Sequence, residues 1–145
     1  MNGDLALEVQ QAIFRSLTND PVLAGLLGKN ASGQVRVFDS VPDGEAMEFI
    51  HVGDVIWNDW GDKTDPGQDG VFTLHVWTRQ KANLPLYKIG REITRIFHQQ
   101  RLVLSVGEVT LLRQTFSQVL VDANGRDRQL VKNYRITTSD PQGTP

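Results

Sequence analysis

The stretch Val71-Phe72-Thr73-Leu74-His75-Val76-Trp77-Thr78-Arg79 decides the fold. Its β-branched and aromatic residues alternate with a period of two, which makes it a strand. Phe72, Leu74 and Val76 point one way; Val71, Thr73, His75 and Trp77 point the other. Apolar side chains on both sides predict a central strand covered on two faces.

Before this strand, residues 58–70 carry three glycines and no helical or strand period. A loop of that length is uncommon in a compact domain and tends to carry function. Between Asp54 and Gly70 there are five aspartates and one lysine, a local charge of −4 against −2 for the whole chain. The remainder is therefore slightly basic. Further upstream, residues 48–57 read as a strand, with Gly53-Asp54 marking a bulge or an early end. Residues 35–38 read as a shorter strand, stopped by Asp39 and the turn-rich Val41-Pro42-Asp43-Gly44. Residues 4–17 place Leu5, Val9, Ala12, Ile13 and Leu17 on one helical face, with Asn2 or Asp4 as cap. Asp20 caps a second, short helix with Pro21 at its first position and Gly28 beyond its end.

Downstream, Pro85 sits just inside a helix that runs to about residue 100, with Leu86, Ile89, Ile93, Ile96 and Phe97 as its buried stripe. Lys88, Arg91, Glu92 and Arg95 are expected to face water. Residues 102–106 read as a short strand and residues 109–121 as a long one, broken near Gln114. The Asn124-Gly125 pair predicts a hairpin turn into a partner strand over residues 129–138. The expected architecture is α+β: one domain over residues 1–138, a mainly antiparallel sheet with helices packed on one face, and a disordered tail over 139–145.

Composition narrows the chemistry. The chain has no cysteine, which excludes disulfides and thiolate metal cages. Its pI of about 5.9 argues against a dedicated nucleic-acid binder, which needs a basic face to meet phosphates. The first residues are acidic, without the basic region of a secretory signal, and no apolar run approaches the ~18 residues of a membrane span. These features predict a soluble product made in the cytoplasm that does not engage membranes.

No nucleophile elbow, phosphate-binding glycine loop or paired-histidine zinc motif is present in the sequence. His51, His75 and His98 have no ligand spacing. Read as a calcium loop from Asp62, the segment offers Thr64, Pro66 and Thr73 where oxygen ligands are needed, so that pattern fails. Asp59, Asp62 and Asp65 could pair for acid–base work only if held and desolvated, which an exposed loop does not do. No enzyme and no cofactor are expected. Trp60, in mid-loop, is the better interface anchor, while Trp57 and Trp77 serve equally as sheet packing or as anchors. Arg36, Arg79, Arg91, Arg95 and Arg101 could meet a neighbour's acidic loop head-to-tail, the kind of contact that closes into a ring.

Taken in order, these pieces resemble the tail-completion, or tail-to-head joining, proteins of long-tailed phages and gene transfer agents. The resemblance rests on Asp20-Pro21-Val22-Leu23, Val35-Arg36-Val37-Phe38-Asp39 with Pro42, Phe49-Ile50-x-Val52-Gly53, and Trp60-x-x-Lys63-Thr64 with Gly67. Leu74-His75-Val76-Trp77-Thr78-Arg79, Asp122-x-x-Gly125 and Tyr134-Arg135-Ile136 complete it. The chain departs at Met47-Glu48-Phe49, where a proline and a smaller aromatic pair are usual. The resemblance implies a structural virion protein at the head-proximal end of the tail. It implies a ring of copies, typically six, seated on the tail tube and facing the head connector, with DNA passing through its channel unbound. The expected interface or channel residues are Asp59, Trp60, Asp62, Lys63, Thr64, Asp65 and Asp69, with Trp57, Arg36 and Arg79 as further contacts. The alternative is a small-ligand or divalent-ion module built on the segment from Asp59 to Asp69.

Overall fold

The computed structural model describes residues 5–58, 67–99 and 102–139. The elements run α1 (Ala6–Thr18), α2 (Pro21–Leu27), β1 (Val37–Phe38), β2 (Phe49–Val52), β3 (Ile56–Asn58), β4 (Gly67–Thr78), α3 (Leu84–Gln99), β5 (Glu108–Val121) and β6 (Arg128–Ser139). One open sheet has the order β1-β2-β4-β6-β5, and β3 pairs beside β2 on the same edge of β4. The β1–β2 pair is parallel and every other pair is antiparallel.

The central event is the full-length pairing of β4 with β6, from Gly67 opposite Ser139 to Thr78 opposite Arg128. On one face of that pair Phe72, Leu74, Val76, Leu130, Tyr134 and Ile136 are buried. The three helices lie on this face and share its core. α3 contributes Leu86, Ile89, Ile93, Ile96 and Phe97, and α1 contributes Val9, Ala12, Ile13 and Leu17, at the spacings the sequence predicts. Each of these side chains except Ala12 is worth about 1.5–3 kcal/mol on burial. Phe72, Phe97 and Tyr134 interlock, with Phe72 stacked on Tyr134 and Phe97 edge-on to both. The expected α+β fold with helices on one face is the observed one.

α2 is set as its sequence requires. Asp20 Oδ2 accepts from Leu23 N at 3.0 Å, Pro21 opens the helix, and Gly28 closes it at φ 73°. The same carboxylate accepts from Arg95 Nη2 at 2.7 Å, which ties α2 to α3. Arg95, expected to face water, is therefore a clamp. Hydrogen bonding and charge from Arg95, with the Leu23 amide, outweigh the upward pull of burial and hold the Asp20 carboxyl below the usual range.

Several expectations are corrected. Residues 48–57 form two strands, because the chain turns at Gly53-Asp54 and β3 re-pairs further along β4. β4 begins at Gly67, four residues earlier than expected. Residues 102–106 form no strand: Leu102 is buried in the core, and the Val103 carbonyl accepts from Arg15 Nη2. Only one face of β4 is helix-covered; Thr73, His75 and Trp77 on the other are half-buried. α1 starts at Ala6 and has no side-chain cap, and the Leu5 amide donates instead to Gln68 Oε1. The expected caps Asn2 and Asp4 lie outside the described residues. β6 extends to Ser139, and residues 140–145 lie outside the described ones.

Gly70 is required by space. A Cβ there would stand 2.7 Å from the Trp57 ring and 3.1 Å from the Ile56 carbonyl. Gly70→Ala is expected to displace Trp57 and cost about 1–3 kcal/mol, as overpacked sites do. Denaturant unfolding checks the cost, and near-ultraviolet circular dichroism checks the tryptophan shift.

Candidate assembly interface

Six of the expected interface residues, Asp59, Trp60, Asp62, Lys63, Thr64 and Asp65, lie outside the described residues. Their segment leaves the sheet at Asn58 and re-enters it at Gly67, both at one end of β4. Asp69 stands in β4, where Oδ1 accepts from Arg135 Nε at 2.9 Å, across the strand pair. Trp57 stands in β3 opposite Gly70 and packs against the core on the helix side. Its buried indole N–H has no partner among the described residues.

The two arginines differ. Arg36 donates to the Leu27 carbonyl at 2.9 Å and pairs with Glu45 at 3.2 Å, so it holds the end of α2 to the loop after β1. Arg79 is half-exposed and pairs with Asp127 across the sheet end at 3.1 Å. The Asn124 and Arg79 hydrogen bonds hold the Asp127 carboxyl below the usual range.

The helix-free face brings together residues that the sequence could not link. His51 and His75 are opposite each other on β2 and β4, stacked with ring centroids 5.4 Å apart. His51 Nε2 hydrogen-bonds the Asp39 carbonyl at 3.1 Å, and His75 Nδ1 hydrogen-bonds Gln129 Oε1 at 2.8 Å. His98 is on α3, away from them. Among the described residues no three histidine or carboxylate side chains cluster to hold a metal. On this face Phe116 and Leu120 of β5 stand exposed. β5 is an edge strand with one side unpaired, interrupted by irregular register near Thr110 and Thr115.

Two titratable groups are buried beneath α3. Lys132 is 4% exposed and donates from Nζ to Thr94 Oγ1 at 2.9 Å, with no carboxylate partner among the described residues. Burial lowers its pKa. Burial pushes the Tyr134 hydroxyl up, opposed by the nearby Thr94 hydroxyl.

A family model described as tail completion protein gp17 matches residues 11–139. The chain belongs to this tail completion family. Its fold is also that of solved structures. A chain from the virion of a native gene transfer agent particle superposes with a TM-score of 0.83 at 24% identity, covering 94% of this chain and 98% of that one. The gp17 protein of bacteriophage SPP1 gives 0.59 at 14% identity, covering 97% of this chain and 94% of that one. No curated protein sequence matches.

As a tail completion protein the chain is a structural component of the virion, and it works by contact with other tail and head parts. Its surfaces therefore matter more than any cleft chemistry. The ion pairs Asp69–Arg135 and Asp20–Arg95 join residues 66 and 75 positions apart. No local sequence signal could have found them.

Lys132 offers a test of what the fold tolerates. Its ammonium is more costly in the fold than in the unfolded chain, so the penalty is present below its lowered pKa. The penalty fades as pH rises to the free-lysine value of about 10.5. Lys132→Met is expected to raise stability at neutral pH by about 1 kcal/mol, or roughly 2–4 °C in Tm. Thermal melts should show that gain shrinking as pH approaches 10.

Proposed function

We propose that this chain caps the tail tube as a ring, typically of six copies, and presents the surface on which the head connector docks. The family match over residues 11–139 carries the reading. The geometry supports it. The subunit has a complete core, one helix-free sheet face, an unpaired edge strand and exposed apolar side chains on several elements.

The reading assigns no catalysis. The groups furthest from their ordinary ionisation are either ion-paired at the surface or largely buried under α3. It assigns DNA a passing role, through a channel that need not bind it. The segment from Asp59 to Asp69 is the contact or channel element. Clustered carboxylates beside DNA discourage adhesion to phosphate, and beside a basic surface they steer docking.

Electron microscopy of the purified chain mixed with tail tubes tests the proposal. Caps of sixfold symmetry at one tube end are expected, and bare tube ends would overturn it. Changing Asp59, Asp62, Asp65 and Asp69 together to asparagine is expected to impair capping or head joining. Wild-type yields of joined particles from that variant would remove the segment from the function.

A further inference from the structure

β5 lies at the edge of the sheet, and a pocket of about 160 Å³ opens between it and α3. Thr94, Phe97 and His98 of α3 form one wall, Leu112 and Gln114 of β5 the other, and Tyr134 of β6 lies between them. No aspartate or glutamate lines it. One water takes about 30 Å³ of liquid volume, so the pocket is larger than a single structural water requires.

Its polar groups are donors without an acceptor. Tyr134 is 3% exposed, and its buried hydroxyl makes no hydrogen bond among the described residues. Behind Thr94 lies the Lys132 ammonium, which donates to Thr94 Oγ1 at 2.9 Å. That bond leaves its charge without a counter-ion among the described residues. A full positive charge therefore stands one hydrogen bond from the pocket wall. At the mouth, the exposed side chains of His98 and Gln114 add N–H donors.

These features select an anion, and among anions a carboxylate. A neutral acceptor would satisfy the hydroxyl and leave the charge unbalanced. A phosphate would turn its further oxygens against Phe97 and Leu112, whereas the methylene stem of an acidic side chain packs there.

We infer that this pocket takes the carboxylate of an acidic side chain from another component of the virion, with one oxygen accepting from the Tyr134 hydroxyl and the charge balanced by Lys132. The inference rests on the reading of the chain as an assembly subunit and adds the chemistry of one contact. It also gives Lys132 a use. A buried ammonium without a counter-charge weakens the free subunit, and a docked carboxylate removes that penalty.

Sodium acetate and sodium propionate stand in for aspartate and glutamate side chains. At constant ionic strength both are expected to shift the amide NMR signals of Thr94, Gln114 and Tyr134 saturably in the millimolar range, and neutral acetamide is expected to leave them in place. Lys132→Met is expected to weaken acetate binding about tenfold although it stabilises the free chain. Tyr134→Phe removes only an unpartnered hydroxyl, so the fold is kept while acetate affinity falls about tenfold. No shift with acetate, an equal shift with acetamide, or unchanged acetate affinity in both variants overturns the carboxylate site. On tail tubes, both variants are expected to give fewer caps or fewer head-joined particles than the unaltered chain. If acetate binds but both variants cap and join normally, the carboxylate belongs to a free small molecule and the partner contact is overturned. Absence of caps from the unaltered chain overturns the ring, and the acetate titration then decides the pocket alone.

Discussion

Twelve residues of β4 lie against twelve of β6 without a break in register, and the rest of the subunit depends on that pairing. It fixes which side chains share a face, because a slip of one residue would turn every buried member outward. Phe72 meets Tyr134 and Val76 meets Leu130 across the pair, and Phe97 of α3 seats against the Phe72–Tyr134 stack. Tyr134 and Lys132 are the polar members of this face. Thr94 of α3 stands over both, so the helix satisfies the ammonium it buries. α2 is held to α3 by Asp20 and Arg95, so the second helix inherits its place from the first.

Much of this was legible from residues 71–79 outward. A strict alternation, an Asn-Gly turn and a helix with a five-residue stripe are local signals, and each formed as written. The departures arise where tertiary pairing overrides composition. Gly67-Gln68-Asp69-Gly70 has turn composition, yet it is strand. β6 offers it partners, Arg135 binds Asp69, and Trp57 covers Gly70. Leu102-Val103-Leu104 has strand composition, yet no strand lies beside it, and one buried leucine with one captured carbonyl holds it instead. Both faces of β4 carry apolar residues, but Trp77 and His75 need only their sheet neighbours to be half-buried, so alternation could not count the covering layers. A cleft between α2 and the start of α3 was invisible for the same reason. Leu26, Glu48 and residues 80–84, which frame it, come from three separate stretches of chain.

The helix-covered face of the sheet and its helix-free face differ in what they leave open. The helix face buries a continuous apolar core. The long edge of β5 is a hazard for such a protein, because an unpaired strand invites unwanted pairing. Here the irregular register near Thr110 and Thr115 interrupts that edge, and Arg113 stands between the two. Bulges of this kind twist an edge away from strand addition.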